Sequence, residues 1–183
     1  MKWDEENLVN ILKENGVVVM PTDTLYGIVG RAEEQSVVER IYSARKRNPE
    51  KPCIVLIGEV GELKKFGIFL TEGEQEKVEQ YSEPTSFILD CLDEKLSYLH
   101  RGTQTLAFRI PSPLALRDLL IKTGPLVAPS ANPEGLLPAQ NIKEAKKYFG
   151  DLVDIYIDAG EIIGKPSKVI RLHKDGTETV LRD

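Results

Sequence analysis

The sequence predicts a mixed α/β (α+β) fold on a single sheet, and three observations carry that prediction. Helical and strand patterns are interspersed along the whole chain, as they are when helices pack against a shared sheet. The 183 residues, 41% of them hydrophobic, suffice for one substantial core and are too few for two full domains, so a single domain over residues 1–183 is expected. Short apolar runs rich in β-branched residues recur between the helical stretches, as buried strands require. No internal repeat, low-complexity segment or linker interrupts them.

The elements follow in order. Residues 4–15 place Leu8, Ile11 and Leu12 on one face, with Asp4 before them and Gly16 after, which predicts a capped amphipathic helix. Val17–Met20 is too short for a helix and reads as a strand that Pro21 ends. Ser36 followed by Glu39 has capping-box spacing ahead of Val37, Val38, Ile41 and Tyr42, predicting a second helix. Cys53–Ile57 reads as a buried strand, and Thr71 with Glu74 repeats the capping-box spacing before a polar helix to about Tyr81. Ser86–Leu92 is apolar again. Thr105–Ile110 has period two, with Leu106, Phe108 and Ile110 on one face and Thr105, Ala107 and Arg109 on the open face. Ser112-Pro113 predicts the start of a helix ending near Gly124. Leu126–Ala128 reads as a strand, Asn141–Phe149 as a helix and Val153–Ile157 as a strand. Strands near Lys168–Leu172 and Glu178–Leu181 complete the order.

Composition excludes several classes. The 29 acidic residues outnumber 24 basic ones, so the net charge of -5 gives no global positive field for nonspecific nucleic-acid binding. Any direct nucleic-acid binding is expected to be weak. Cys53 and Cys91 each sit in an apolar run and read as buried reduced thiols, not as a disulfide or zinc site. The opening Met1-Lys2-Trp3-Asp4-Glu5-Glu6 lacks the apolar stretch of a signal peptide, and no run approaches a membrane span, so a cytoplasmic, membrane-free location is expected. His100 and His173 lie far apart without partners at ligand spacing, so no protein metal site is predicted. A Walker loop and a dinucleotide glycine fingerprint are missing, so neither common nucleotide-binding scaffold applies, and the lack of a Ser/His/Asp set with a nucleophile elbow disfavours covalent catalysis.

Four polar segments at predicted strand ends carry the chemistry, because open α/β sheets place ligands there. Pro21-Thr22-Asp23-Thr24-Leu25-Tyr26-Gly27 offers hydroxyls beside a close backbone approach, or a capped turn. Arg45-Lys46-Arg47-Asn48-Pro49-Glu50-Lys51-Pro52 gathers four cations between a helix end and a strand, which suits a triphosphate or the helix dipole. Arg109 ends the alternating strand. Pro125–Asn132 follows a buried strand with groups able to face a phosphate, or forms an ordinary Asn turn.

Taken together in this order, these segments resemble the YrdC-like threonylcarbamoyl-AMP synthases, over about residues 10–183 and with Ser167 and Arg182 closing the pattern. The resemblance implies a single-domain, twisted, mostly mixed/antiparallel sheet with flanking helices and a concave, positively charged groove. It implies ATP contacts from Arg47, Lys51, Thr105, Ser130, Asn132, Ser167 and Arg182, and threonine contacts from Thr22, Thr24, Arg109 and Ala128. No covalent nucleophile is implied; Arg45 and Arg47 position the reactants. The reaction would carboxylate the threonine amine with bicarbonate, and the carbamate would attack the α-phosphate of ATP as pyrophosphate leaves. Mg2+ is expected with the nucleotide, and the product would pass to a separate tRNA threonylcarbamoyl transferase, with only weak direct tRNA binding expected of this chain. Larger members carry a C-terminal domain that this chain is expected to lack.

Three positions depart from the family pattern. Arg45 stands where Lys is usual, Pro133-Glu134-Gly135 stands where Ser-Gly is usual, and Glu83-Pro84 replaces Gly-Pro. The alternatives these departures leave are an RNA-binding module and an enzyme for another carbamoyl or adenylated substrate.

Overall fold

The computed structural model describes residues 3–183, so Met1 and Lys2 of the acidic opening segment lie outside the described residues. The helices are α1 (Glu5–Lys13), α2 (Gln35–Arg45), α3 (Glu72–Gln80), α4 (Ser97–His100), α5 (Leu114–Thr123) and α6 (Ile142–Phe149). The strands are β1 (Val18–Pro21), β2 (Tyr26–Arg31), β3 (Ile54–Leu56), β4 (Thr85–Asp90), β5 (Thr105–Arg109), β6 (Leu126–Val127), β7 (Ile155–Tyr156), β8 (Lys168–Leu172) and β9 (Glu178–Arg182). Among the described residues the strands form one sheet in the order β7-β1-β2-β6-β3-β5-β4-β8-β9. The β1–β7, β3–β5 and β4–β8 neighbours run parallel; the others are antiparallel.

Strand alternation divides the core in two. In β1, Val18 and Met20 join Leu8 and Leu12 of α1 and Leu116, Leu119 and Leu120 of α5. Val19 joins the opposite cluster, with Val37, Val38 and Ile41 of α2 and Phe149 of α6. The sheet is therefore covered on both faces around β1, which explains why that strand reads as unbroken apolar sequence.

Local signals hold in some places and fail in others. Asp4 accepts a hydrogen bond from the Asn7 amide, Asn141 from the Glu144 amide, and Thr71 with Glu74 makes both halves of the capping box. The Ser36–Glu39 box does not form: α2 starts after Glu34 without a side-chain cap, and Glu39 pairs instead with Arg101 at 2.9 Å. Ser112 does not cap α5, whose cap position is Pro113, again without a side-chain hydrogen bond. The 3-10 segments Val60–Phe66 and Glu94–Leu96, and α4, fall where no element was predicted.

Strand β2 is the largest departure from the predicted order. It carries two glycines in six residues, and glycine weakens a strand signal. The reason for Gly30 is steric: a Cβ there would come within 2.3 Å of Val37 Cγ1 in α2. The glycine lets the helix lie directly on the sheet.

Candidate active site

A cavity of about 470 Å³ opens on one face of the β3-β5-β4-β8-β9 half of the sheet. Its floor follows from register. Ala107 lies between Ile54 of β3 and Ile88 of β4, and all three side chains line the cavity. The period of two then puts Thr105 and Arg109 on the same face, while Leu106 and Phe108 enter the core. The open face predicted for Arg109 opens on this cavity and not on bulk solvent, since the residue is 3% exposed.

Three loops build the walls. In the β1–β2 turn, the Thr22 hydroxyl donates to the Leu25 carbonyl at 2.7 Å and accepts from the Thr24 and Leu25 amides. That ties the turn shut and leaves Thr24 on the cavity wall. After β6, Ala128, Pro129 and Ser130 line the cavity, and Gly27 bridges to Ser130. Before β8, Pro166 and Ser167 complete the rim. Upstream of that rim, the Tyr26 hydroxyl pins the loop by donating to the Gly160 carbonyl at 2.9 Å and accepting from the Ala159 amide at 2.8 Å.

The basic segment divides around one left-handed residue. Lys46 caps α2 with φ 49° and is exposed, and the turn it makes lets both Arg45 and Arg47 line the cavity. Arg45 donates from Nε to the Asn132 carbonyl at 2.9 Å, and its buried Nη1 has no partner among the described residues. Arg47 is held by the Lys51 and Pro52 carbonyls at 3.0 and 2.8 Å.

Two predicted site residues stand away from the lining. Lys51 points its ammonium at Glu134, 2.7 Å away, and Glu134 also accepts from the Asn48 amide. Asn132 spends its amide on the Pro133 and Leu136 carbonyls at 2.9 and 2.8 Å, which makes it part of the loop's scaffold. Arg45, Arg47, Thr22, Thr24, Thr105, Arg109, Ala128, Ser130, Ser167 and Arg182 all line the one cavity. Of the two acidic departures, Glu83 does not line it; its carboxylate reaches Lys168 at 3.7 Å.

Sequence reasoning missed a buried polar chain behind the wall. Asp23 Oδ1 accepts from Arg109 Nη2 at 2.9 Å and from Nε at 3.2 Å. Arg109 Nη1 faces the Ser86 hydroxyl at 3.5 Å, Ser86 and Ser167 share a 2.9 Å hydrogen bond, and Arg182 Nε donates to the Ser167 carbonyl at 2.9 Å. Asp23 lay within a motif already singled out, but its pairing spans 86 residues and no local spacing announces it.

Among the described residues four guanidinium groups thus line the cavity, and no carboxylate does. Burial, and then the neighbouring Arg47 charge, pushes the Arg45 pKa below its ordinary value. Burial and then Arg109 do the same to Arg182. A bound anion would relieve both the repulsion and the lost hydration. Lys51 and the Asn48 amide hold the Glu134 carboxyl below its usual range. Burial and then Cys53 push the Tyr42 phenol up to about 12, so it stays neutral as it donates to the Lys51 carbonyl. Among the described residues no group of three or more His, Cys, Asp or Glu side chains gathers as a metal cage, and none of the helices is long and apolar enough to cross a membrane. Both cysteines are buried and unpaired.

The Sua5/YciO/YrdC family model, described as Telomere recombination, matches residues 10–183. A threonylcarbamoyl-AMP synthase of Marinobacter nauticus is 29% identical over 160 residues, 85% of this chain and 84% of that protein. The crystal structure of Pyrococcus abyssi Sua5 complexed with L-threonine superposes with a TM-score of 0.87 at 26% identity, covering 100% of this chain and 55% of the other. Escherichia coli YciO superposes with a TM-score of 0.79 at 27% identity, covering 98% of this chain and 88% of the other.

Proposed function

This chain belongs to the Sua5/YciO/YrdC family, and from that premise we propose that it is a threonylcarbamoyl-AMP synthase, a nucleotidyltransferase converting L-threonine, bicarbonate and ATP to threonylcarbamoyl-AMP and pyrophosphate for tRNA modification. The observation that carries the reading is the convergence of four arginines and several hydroxyls on one cavity of about 470 Å³, a volume suited to small-molecule ligands.

The roles follow from the chemistry of each group. Arg45, Arg47 and Arg182 take the phosphates, and the unpartnered Nη1 of Arg45 supplies a donor already stripped of water. Thr105, Ser130 and Ser167 face the nucleotide with their hydroxyls. Thr24 and Arg109 hold the amino acid, with the guanidinium on its carboxylate. The amine attacks the carbon of the hydrated carbon dioxide, a carbamate forms with loss of water, and a carbamate oxygen then displaces pyrophosphate at the α-phosphorus. Because every reacting atom comes from a substrate, the protein contributes orientation and fixed positive charge. Mg2+ would enter with ATP and shield the charge on the departing phosphates; what the lining offers it is hydroxyl oxygens, as on Thr105, Ser130 and Ser167. The product passes to a separate tRNA threonylcarbamoyl transferase in the cytoplasm.

The test is pyrophosphate release from ATP and bicarbonate, with each amino acid supplied in turn. Release dependent on threonine is the expected outcome. Release that depends on another amino acid, or on none, would assign the cavity a different substrate.

A further inference from the structure

We propose that Asp23 is a positioning residue for the amino-acid substrate, acting through Arg109 and not by touching the substrate. The proposal deepens the reading above and rests on it. Both side chains are sealed from solvent, Arg109 at 3% and Asp23 at 2% exposure. Arg109 lines the cavity and Asp23 does not. The carboxylate is therefore screened from any ligand by the arginine it holds.

The geometry is one-sided. Asp23 Oδ1 takes hydrogen bonds from both Nε and Nη2, while Oδ2 is buried with no partner among the described residues. A pair selected for stability alone would satisfy both oxygens, because a buried carboxylate oxygen without a donor is destabilising. Here the gain is in orientation. Two contacts to one oxygen lock the Nε/Nη2 edge, and the Thr24 hydroxyl takes a further Nη2 proton at 3.4 Å. Among the described residues Nη1 meets only Ser86, at 3.5 Å, so its remaining N–H is the free donor of the group. Fixing one edge of a planar fork fixes the direction of the other.

Asp23 also offsets the charge of Arg109, whose repulsion is one of the two causes depressing the Arg182 pKa. Without the carboxylate, Arg109 would be free to turn and its field on Arg182 would be uncompensated. The amino-acid subsite should suffer first, because the guanidinium's direction is what a carboxylate ligand reads.

The experiment is steady-state kinetics of Asp23→Ala and Asp23→Asn in the full chain, varying threonine and ATP separately. Asp23→Ala is expected to raise the threonine KM by roughly ten- to a hundredfold, the range for loss of a charged hydrogen bond, with the ATP KM changed far less. Asp23→Asn keeps the shape and one acceptor oxygen, should fold where the alanine variant does not, and is expected to fall between wild type and alanine. Equal increases in both KM values, or a threonine KM unchanged in either folded variant, would overturn the proposal while leaving the synthase reading intact. A wild-type chain without threonine-dependent turnover would overturn both.

Discussion

Glu134 shows how a single side chain can set the affinity of a site it does not line. Its carboxylate holds the Lys51 ammonium at 2.7 Å and accepts the Asn48 amide, so the cation that the sequence offers to phosphate is already occupied. A nucleotide recruiting Lys51 must compete with that pair. Glu134→Gln is therefore expected to lower the Kd for ATP by about two- to fivefold, as befits a pair that is partly in water, and to sharpen its dependence on salt. Titration of ATP by calorimetry at two ionic strengths checks this, and an unchanged or weaker affinity would show that Lys51 stays out of the site. At this scale the sequence was legible wherever residue type alone decides, as with the buried thiols and the arginines. It was mute for the pairing of Asp23 and Ser86, and it flagged Glu134 without giving its partners Lys51 and Asn48, because those contacts are made only by the fold.

Elements were legible where one periodicity dominated. Helix α1, with its Asp4 cap, and the alternating β5 could be read directly, because burial on one face imposes its period on the residues. Strand β2 could not, since Gly30 answers to a helix above it and not to strand propensity. The capping-box spacing at Ser36 was misleading because α2 begins one residue earlier, at Gln35, so Ser36 falls in its first turn and not at the cap position, and Glu39 pairs with Arg101 instead. A tie between elements also gives a pH prediction. Asp154, just before β7, accepts from the Val17 amide at 2.7 Å beside β1 and pairs with Arg40 of α2 at 2.8 Å. The Arg40 hydrogen bond is the first cause holding its pKa below the ordinary aspartate value, so its contribution to stability is present above that ordinary value and disappears as pH falls through the lower, folded one. Asp154→Asn should remove that acid-side loss, flattening the fall in Tm below about pH 4, while lowering stability at neutral pH by less than about 1 kcal/mol because the pair is partly exposed. Thermal melts of both proteins between pH 3 and 7 decide it; parallel curves would contradict the assignment.

At the scale of the whole molecule, the sheet collects residues from Thr22 to Arg182 around one cavity, and two of its arginines have depressed pKa values that an anion would restore. ATP binding to the folded chain should then stabilise all of it at once. With free ATP at about a hundred times its Kd, mass action gives about 2.7 kcal/mol, a rise of a few degrees in Tm. A melt unaffected by ATP would separate the cavity from nucleotide binding. The general fold class was readable in the interspersed elements; the strand order was not, because adjacency in a sheet is decided by tertiary packing and not by sequence neighbourhood.

That order has a consequence for how the cavity is completed. Arg182 sits on β9, the outer strand at one end of the sheet among the described residues, paired to β8, while Thr24 lies in the turn between β1 and β2. The two apolar clusters draw on β1, β2, β3 and β5 and take nothing from β9, whose residues are all exposed. The cavity's rim and its core are thus separable, so fraying of that one edge strand would carry Arg182 away and open the pocket while the rest of the molecule stayed packed.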